Sequence, residues 1–171
     1  MKKNLYESTQ YFDIDEQTMC FELKGRVAES HELCMVSKNF WHIVSKFAWY
    51  KSKSGYAFTY IEGSRVQLHR FIYTLILGES IPEGFFIDHI DSNKLNNSNS
   101  NLRLATPQEN SFNKSSKSGT KGIKKNGNKY VATITKDGKT ITIPNIPTEE
   151  QAKETYNMMA EELFGVFAKY N

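Results

Sequence analysis

Apolar side chains recur at helical spacing in Phe40, Trp41, Ile43, Val44 and Phe47. Ser37 stands just ahead of them as a natural N-cap, so a helix is predicted there. Before it, residues 18–23 and 32–36 alternate as short strands do. Residues 55–61 and 64–68 alternate on either side of Glu62-Gly63, which predicts a hairpin. Residues 69–77 form an apolar stretch closed by Gly78, which reads as a short buried helix, and Pro82 and Gly84 mark a turn after it.

The C-terminal pattern is clearer. Residues 122–125, 129–135 and 139–143 are three strand runs parted by Asn126-Gly127 and Asp137-Gly138, both tight-turn dipeptides. Thr148 then caps a helix whose first turn holds Glu149, Glu150 and Gln151. Its apolar face is Ala152, Tyr156, Met159, Ala160, Leu163, Phe164 and Phe167. Ala132, Ile134, Ile141 and Ile143 are expected to meet this helix. Val131, Thr133, Thr135, Thr140 and Thr142 are expected to face away from it.

Residues 113–122 carry almost no apolar side chain and cannot repay ordering entropy by burial. A boundary is therefore expected near 115, with 115–120 as a linker. A second polar run, 91–101, includes Leu95 as an apolar anchor and sits between two apolar segments. It is expected to be an ordered loop whose Asn and Asp side chains bond their own backbone.

Composition narrows the classes. The 171 residues are 39% hydrophobic, enough for a packed core. No run approaches the roughly 20 apolar residues of a membrane span, and no apolar stretch follows Met1-Lys2-Lys3 as an export signal would require. Cys20 and Cys34 are too few for a zinc site or a disulfide framework, and are expected to be buried thiols in a reducing compartment. The net charge of +3 is unevenly spread: +1 over residues 1–80, −1 over 81–114, +6 over 115–145 and −3 over 146–171. A local basic stripe beside an open Thr and Lys face of about major-groove width points to duplex nucleic acid.

The chemistry concentrates in Phe86-Ile87-Asp88-His89-Ile90-Asp91, then Asn101-Leu102-Arg103-Leu104-Ala105-Thr106-Pro107-Gln108-Glu109-Asn110. A carboxylate and an imidazole stand side by side at a strand end. A helix starting near Thr106, with Pro107 at its first position, brings further Asn side chains. Phosphodiester hydrolysis with one hard divalent ion needs oxygen ligands and a base for water. Asp88 and Asn110 carry such oxygens, and His89 is the candidate base. Arg103 is suited either to meet phosphate or to pair with a carboxylate. Arg70 is a candidate DNA contact. His69 is read as structural, as are His31 and His42, which lack metal-like spacing. Trp41, Trp49, Tyr56, Phe58 and Tyr60 are read as core.

His89, Asn101 and Asn110, with the lead-in Leu68-His69-Arg70-Phe71-Ile72 and Ile81-Pro82-Glu83-Gly84, resemble the HNH motif of phage-type homing endonucleases over residues 68–114. The segment from Lys121-Gly122-Ile123 to Phe167-Ala168 is similar to an Apetala-type (ethylene-response-factor-like) DNA-binding domain. These resemblances imply an α+β chain: residues 1–67 of uncertain role, a ββα-metal module at 68–114, the linker, and at 121–171 a three-stranded antiparallel sheet packed on one helix. They imply His89 as general base, Asp88 and Asn110 as ligands of one Mg²⁺ or Mn²⁺, and Asn101 as the residue that fixes the loop between the strands. Lys114 stands where many such nucleases have a second helix His, which implies a site completed by water and phosphate.

The implied partner is double-stranded DNA, contacted by Arg70, Arg103, Lys114, Lys121, Lys124, Lys125, Lys129, Thr133, Thr135, Lys139 and Thr142. Tyr130, Thr135 and Thr142 replace the Trp and Arg usual in the plant domain, so base preference stays open. No membrane partner is implied, and none is specified for the N-terminal region. The implied setting is the cytoplasm of a bacterial host, with the gene carried by a phage or mobile element. The competing reading is a catalytically weak or inactive phage regulator or inhibitor on the same scaffold.

Overall fold

The computed structural model of the chain describes residues 10–24, 32–113 and 120–171. Contacts divide it into two compact units, Met1–Ala105 and Thr106–Asn171.

The first unit holds strands β1 (Tyr11–Asp13), β2 (Thr18–Glu22), β3 (Leu33–Ser37), β4 (Tyr50–Lys51), β5 (Ala57–Ile61), β6 (Ser64–Gln67), β7 (Phe86–His89), β8 (Asn96–Asn97) and β9 (Leu102–Ala105). Helix α1 (Lys38–Val44) follows β3, and helix α2 (Leu68–Leu77) follows β6. The strands form three sheets, ordered β1-β2-β3-β8, β4-β5-β6 and β7-β9. The β5–β6 hairpin turns at Glu62 and Gly63, both with positive φ, and α2 ends at Gly78 in the left-handed conformation.

One core serves all three sheets. Phe21, Cys34, Val36, Val44, Trp49 and Ala57 pack with Leu68, Ile72, Ile87 and Leu102. Each fully buried aliphatic side chain of this set contributes roughly 2 kcal/mol of transfer free energy. This core draws on residues from both sides of residue 67. Ser37 occupies the N-cap position of α1 without capping it, because its Oγ accepts from the Asn99 N–H at 2.9 Å. Leu95 packs against the core, and Asn96–Asn97 pairs in parallel with β3. The polar loop is thus ordered and stitched to a distant strand. No helix among the described residues is long and apolar enough to cross a membrane.

The second unit begins with helix α3 (Pro107–Phe112), followed by β10 (Ile123–Asn126), β11 (Lys129–Lys136), β12 (Lys139–Ile146) and helix α4 (Glu149–Phe164). Thr106 and Glu109 make a reciprocal capping box with Pro107 at the first turn of α3. The strands form an antiparallel sheet, and Ala132, Ile134 and Ile146 pack with Ala152, Tyr156, Ala160 and Phe164 of α4.

One expectation is corrected here. Ile141 and Ile143 lie opposite Ile134 and Ala132 but remain 45% and 40% exposed. The reason is that α4 packs chiefly over β11, leaving edge strand β12 beyond its reach. Phe112 stacks on Phe164 at 3.7 Å and joins the second core, within the unit that begins at Thr106. Most of the expected linker, residues 115–119, lies outside the described residues.

Candidate functional site

Strands β7 and β9 pair antiparallel with Asp88 opposite Arg103 and His89 opposite Leu102. Ile87 and Leu102 anchor the hairpin in the core, and both Asp88 and His89 are buried with it. Burial of a carboxylate requires a partner, and Arg103 supplies one. Its Nε and Nη2 donate to Oδ2 of Asp88 at 2.9 and 2.7 Å. The two roles open to Arg103 are therefore resolved toward the carboxylate, and its guanidinium is largely buried in that pair.

Between the strands the loop is held by its own polar side chains. Asn101 Nδ2 donates to Asp91 Oδ1 and to the Asn96 carbonyl, each at 2.8 Å, while its Oδ1 accepts from the Asp91 N–H at 3.0 Å. Asp91 Oδ1 also accepts from the Asn93 N–H, and Asn93 Oδ1 from the Leu95 N–H. These are Asx turns, as the composition of the loop predicts.

The His89 imidazole sits among groups that spacing does not reveal. The His69 ring stands edge-on to it at 5.1 Å, and the Tyr56 ring lies 5.0 Å from His69 and 5.9 Å from His89. The Lys94 ammonium covers the Tyr56 ring at 4.6 Å. His89 Nε2 lies 3.4 Å from Oδ1 of Asn97, whose Nδ2 donates to Cys34 Sγ at 3.2 Å. Burial lowers the His89 pKa, opposed by the Asn97 hydrogen bond and by Asp91 and Asp88. Burial and the neighbouring His89 bring His69 down to about 3. Burial, then Asp88, raises Tyr56. His69, from the lead-in motif, thus stands beside His89, while Tyr56, Asn97 and Cys34 join a site for which sequence reasoning had no signal, because β3, β8 and the residues before β5 bring them in from elsewhere in the chain.

Arg70 is exposed on α2 and lines a groove of about 770 Å³ with Arg65, Gln67 and Phe71. Asn110 lies on α3 in the second unit, its N–H donating to the Thr106 carbonyl. Lys114 lies outside the described residues. Lys121 Nζ donates to the Phe112 carbonyl, and burial lowers its pKa, so this ammonium is committed inside the second unit. Register puts Lys124, Lys129, Thr133, Thr135 and Thr142 on the sheet face turned from α4, with the Thr135 and Thr140 hydroxyls bonded at 2.9 Å. Lys125 and Lys139 pair with Tyr130 and Lys136, on the helix side of the alternation, and both are exposed. Cys20 and Cys34 are free buried thiols.

Among the described residues no three His, Cys, Asp or Glu side chains gather as a metal-binding group. The oxygen donors near His89 are the Asp88 and Asp91 carboxylates and the Asn97 carboxamide. That is the oxygen set of a hard, partly hydrated ion such as Mg²⁺ or Mn²⁺, and does not suit zinc. The residues present fit an ion of that class.

A family model described as HNH endonuclease matches residues 66–112. An uncharacterized HNH endonuclease of Acanthamoeba polyphaga mimivirus is 54% identical over 170 residues, covering 99% of this chain and 89% of the relative. Protein 3.8 of Escherichia phage T7 is 41% identical over 96 residues, 53% of this chain and 78% of its own length. A prophage SPbeta protein of Bacillus subtilis strain 168, named for the HNH homing endonucleases, is 44% identical over 45 residues, 26% of this chain and 25% of its own length. No solved structure matches the chain.

Proposed function

The chain belongs to the HNH endonuclease family, and from that premise we propose that it hydrolyses phosphodiester bonds of double-stranded DNA with the help of one divalent ion, cutting one strand at a time. The observation that carries this reading is a buried imidazole, His89, beside Asp88 at the end of the matched β7–β9 hairpin. His89 takes a proton from the attacking water, a task that suits a ring able to accept one at cellular pH. Asn101 keeps the intervening loop closed so that the hairpin end holds its shape.

Asp88 and Asn110 would hold Mg²⁺ or Mn²⁺, which when bound offsets charge on the phosphorus oxygens and on the leaving 3′ oxygen. Hydrolysis leaves 5′-phosphate and 3′-hydroxyl ends. The C-terminal sheet, which we read as an Apetala-type DNA-binding domain, presents Lys124, Lys129, Thr133, Thr135 and Thr142 to the duplex, with Lys125 and Lys139 on its rim. Arg70 adds a phosphate contact from the first unit. Since Lys121 is tied to a carbonyl and Arg103 to Asp88, neither is assigned a DNA contact. The protein acts in the cytoplasm of a bacterial host and is encoded by a phage or mobile element.

The test is relaxation of supercoiled plasmid with Mg²⁺ or Mn²⁺, wild type beside His89→Ala. Nicking that is lost in the variant while DNA binding persists supports the proposal. Equal turnover by the variant removes His89 as base. One observation favours a second reading, a DNA- or protein-binding regulator without chemistry: Oδ2 of Asp88 is already taken by Arg103. Tight DNA binding with no metal-dependent nicking would select it.

A further inference from the structure

Asn97 has no exposed surface, yet it is a carboxamide with two donors and an acceptor that burial obliges it to satisfy. Its partners lie on opposite sides. Strand β8 pairs in parallel with β3, Val36 opposite Asn97. Cys34, two residues back on the same face of β3, meets Asn97 Nδ2 at 3.2 Å. On the other side Asn97 Oδ1 is 3.4 Å from His89 Nε2.

Which end of the amide faces which partner is decided by the thiol. Burial pushes the Cys34 thiol well above its usual range, so the sulfur keeps its single hydrogen, and that hydrogen is directed to the Met35 carbonyl oxygen at 4.0 Å. The sulfur therefore offers a lone pair to Asn97 and receives the amide N–H. The carboxamide oxygen is then the end that faces His89, and an oxygen can only accept. His89 must bring its hydrogen to Nε2.

We propose that Asn97, oriented by Cys34, is the positioning residue that holds His89 as its Nε2–H tautomer, with Nδ1 the nitrogen that carries the lone pair the base reading needs. The proposal rests on the reading of His89 as base, and it gives the N-terminal strand β3 a share in the chemistry. Neutral imidazole has two tautomers, and only the one whose lone pair points at the water is active, so a mixed population lowers turnover without changing DNA binding.

The experiment is long-range ¹H–¹⁵N correlation spectroscopy of the histidine rings in the metal-free, DNA-free full chain at pH 7.5, with His89 assigned by the signals that His89→Gln removes. The wild type should show His89 with a protonated Nε2 and an unprotonated Nδ1. Asn97→Leu should mix the two tautomers, Cys34→Ala should do so in part, and Cys34→Ser should retain the wild-type pattern. In plasmid nicking, Asn97→Leu should lose about tenfold or more in kcat with KM little changed.

A wild-type His89 protonated on Nδ1 overturns the proposal. So does an unchanged tautomer in both Asn97→Leu and Cys34→Ala. Should Asn97→Leu fail to fold, the wild-type spectrum and Cys34→Ala decide. Because the tautomer is read without ion or DNA, a chain that never cuts DNA but shows the expected spectra defeats the nuclease reading and leaves this inference standing.

Discussion

Arg103 grips a single oxygen of Asp88 through two nitrogens, and the two residues face each other directly across the β7–β9 ladder. Both side chains are nearly excluded from solvent. Removing one member of such a pair strands the other charge in a poor dielectric, which typically costs 3–5 kcal/mol. Arg103→Ala should therefore lower unfolding free energy by about 3 kcal/mol, read from the urea midpoint. Arg103→Lys should recover only part of the loss, because a point charge does not reproduce the planar fork. An Arg103→Ala midpoint equal to wild type would contradict the pair's role.

Asn101→Ala removes three hydrogen bonds that close the loop on Asp91 and Asn96. At about 1 kcal/mol per bond, plus the desolvation of Asp91 groups left behind, the expected loss is roughly 3 kcal/mol. The local signature is faster hydrogen exchange at the Asp91 amide than at amides of β2. Exchange unchanged at Asp91 would show that the loop is held by other means.

His69 yields a pH dependence. Its folded value of about 3 lies below the ordinary 6.5, because burial disfavours the charged ring. Between those values the unfolded chain binds a proton that the native one refuses, so stability rises with pH. The contribution is fully present above 6.5 and is lost as pH falls toward 3, at up to roughly 1.4 kcal/mol per pH unit. Wild type should lose about 2 kcal/mol more than His69→Phe between pH 6.5 and 4.5 in urea titrations. Parallel pH profiles for the two proteins would refute this.

Gly122 sits in the left-handed region with φ +67, and a Cβ there would run into the Thr133 carbonyl oxygen and the Tyr156 ring. Neither yields easily, since Thr133 N–H also bonds the Gly122 carbonyl at 2.7 Å. Gly122→Ala should cost about 3 kcal/mol, combining steric overlap with the penalty of positive φ. A lowered thermal midpoint for the second unit is the expected readout.

Local rules carried the reading furthest where structure is local. The Thr106 capping box, the glycine turns of the C-terminal sheet and the Asx turns of the 91–101 loop all depend on neighbours within a few residues, and all are legible in the sequence. The helix of 69–77 was legible for the same reason. What escaped was set by distance in the chain. Nothing at Cys34 or Tyr56 announces that β3 and the residues before β5 converge on His89. Helix coverage also cannot be read from alternation, which put Ile141 and Ile143 on the correct face but could not say that α4 stops short of them.

The parallel pairing of Asn96–Asn97 with β3 bears on portability. A designer who lifted residues 66–112 onto a foreign framework would carry the whole family signature, yet would leave behind the strand on which Leu95 and Asn97 are seated. Such a transplant would have the right letters and a slack hinge at its centre, so the smallest transferable piece of this protein extends back through β2 and β3.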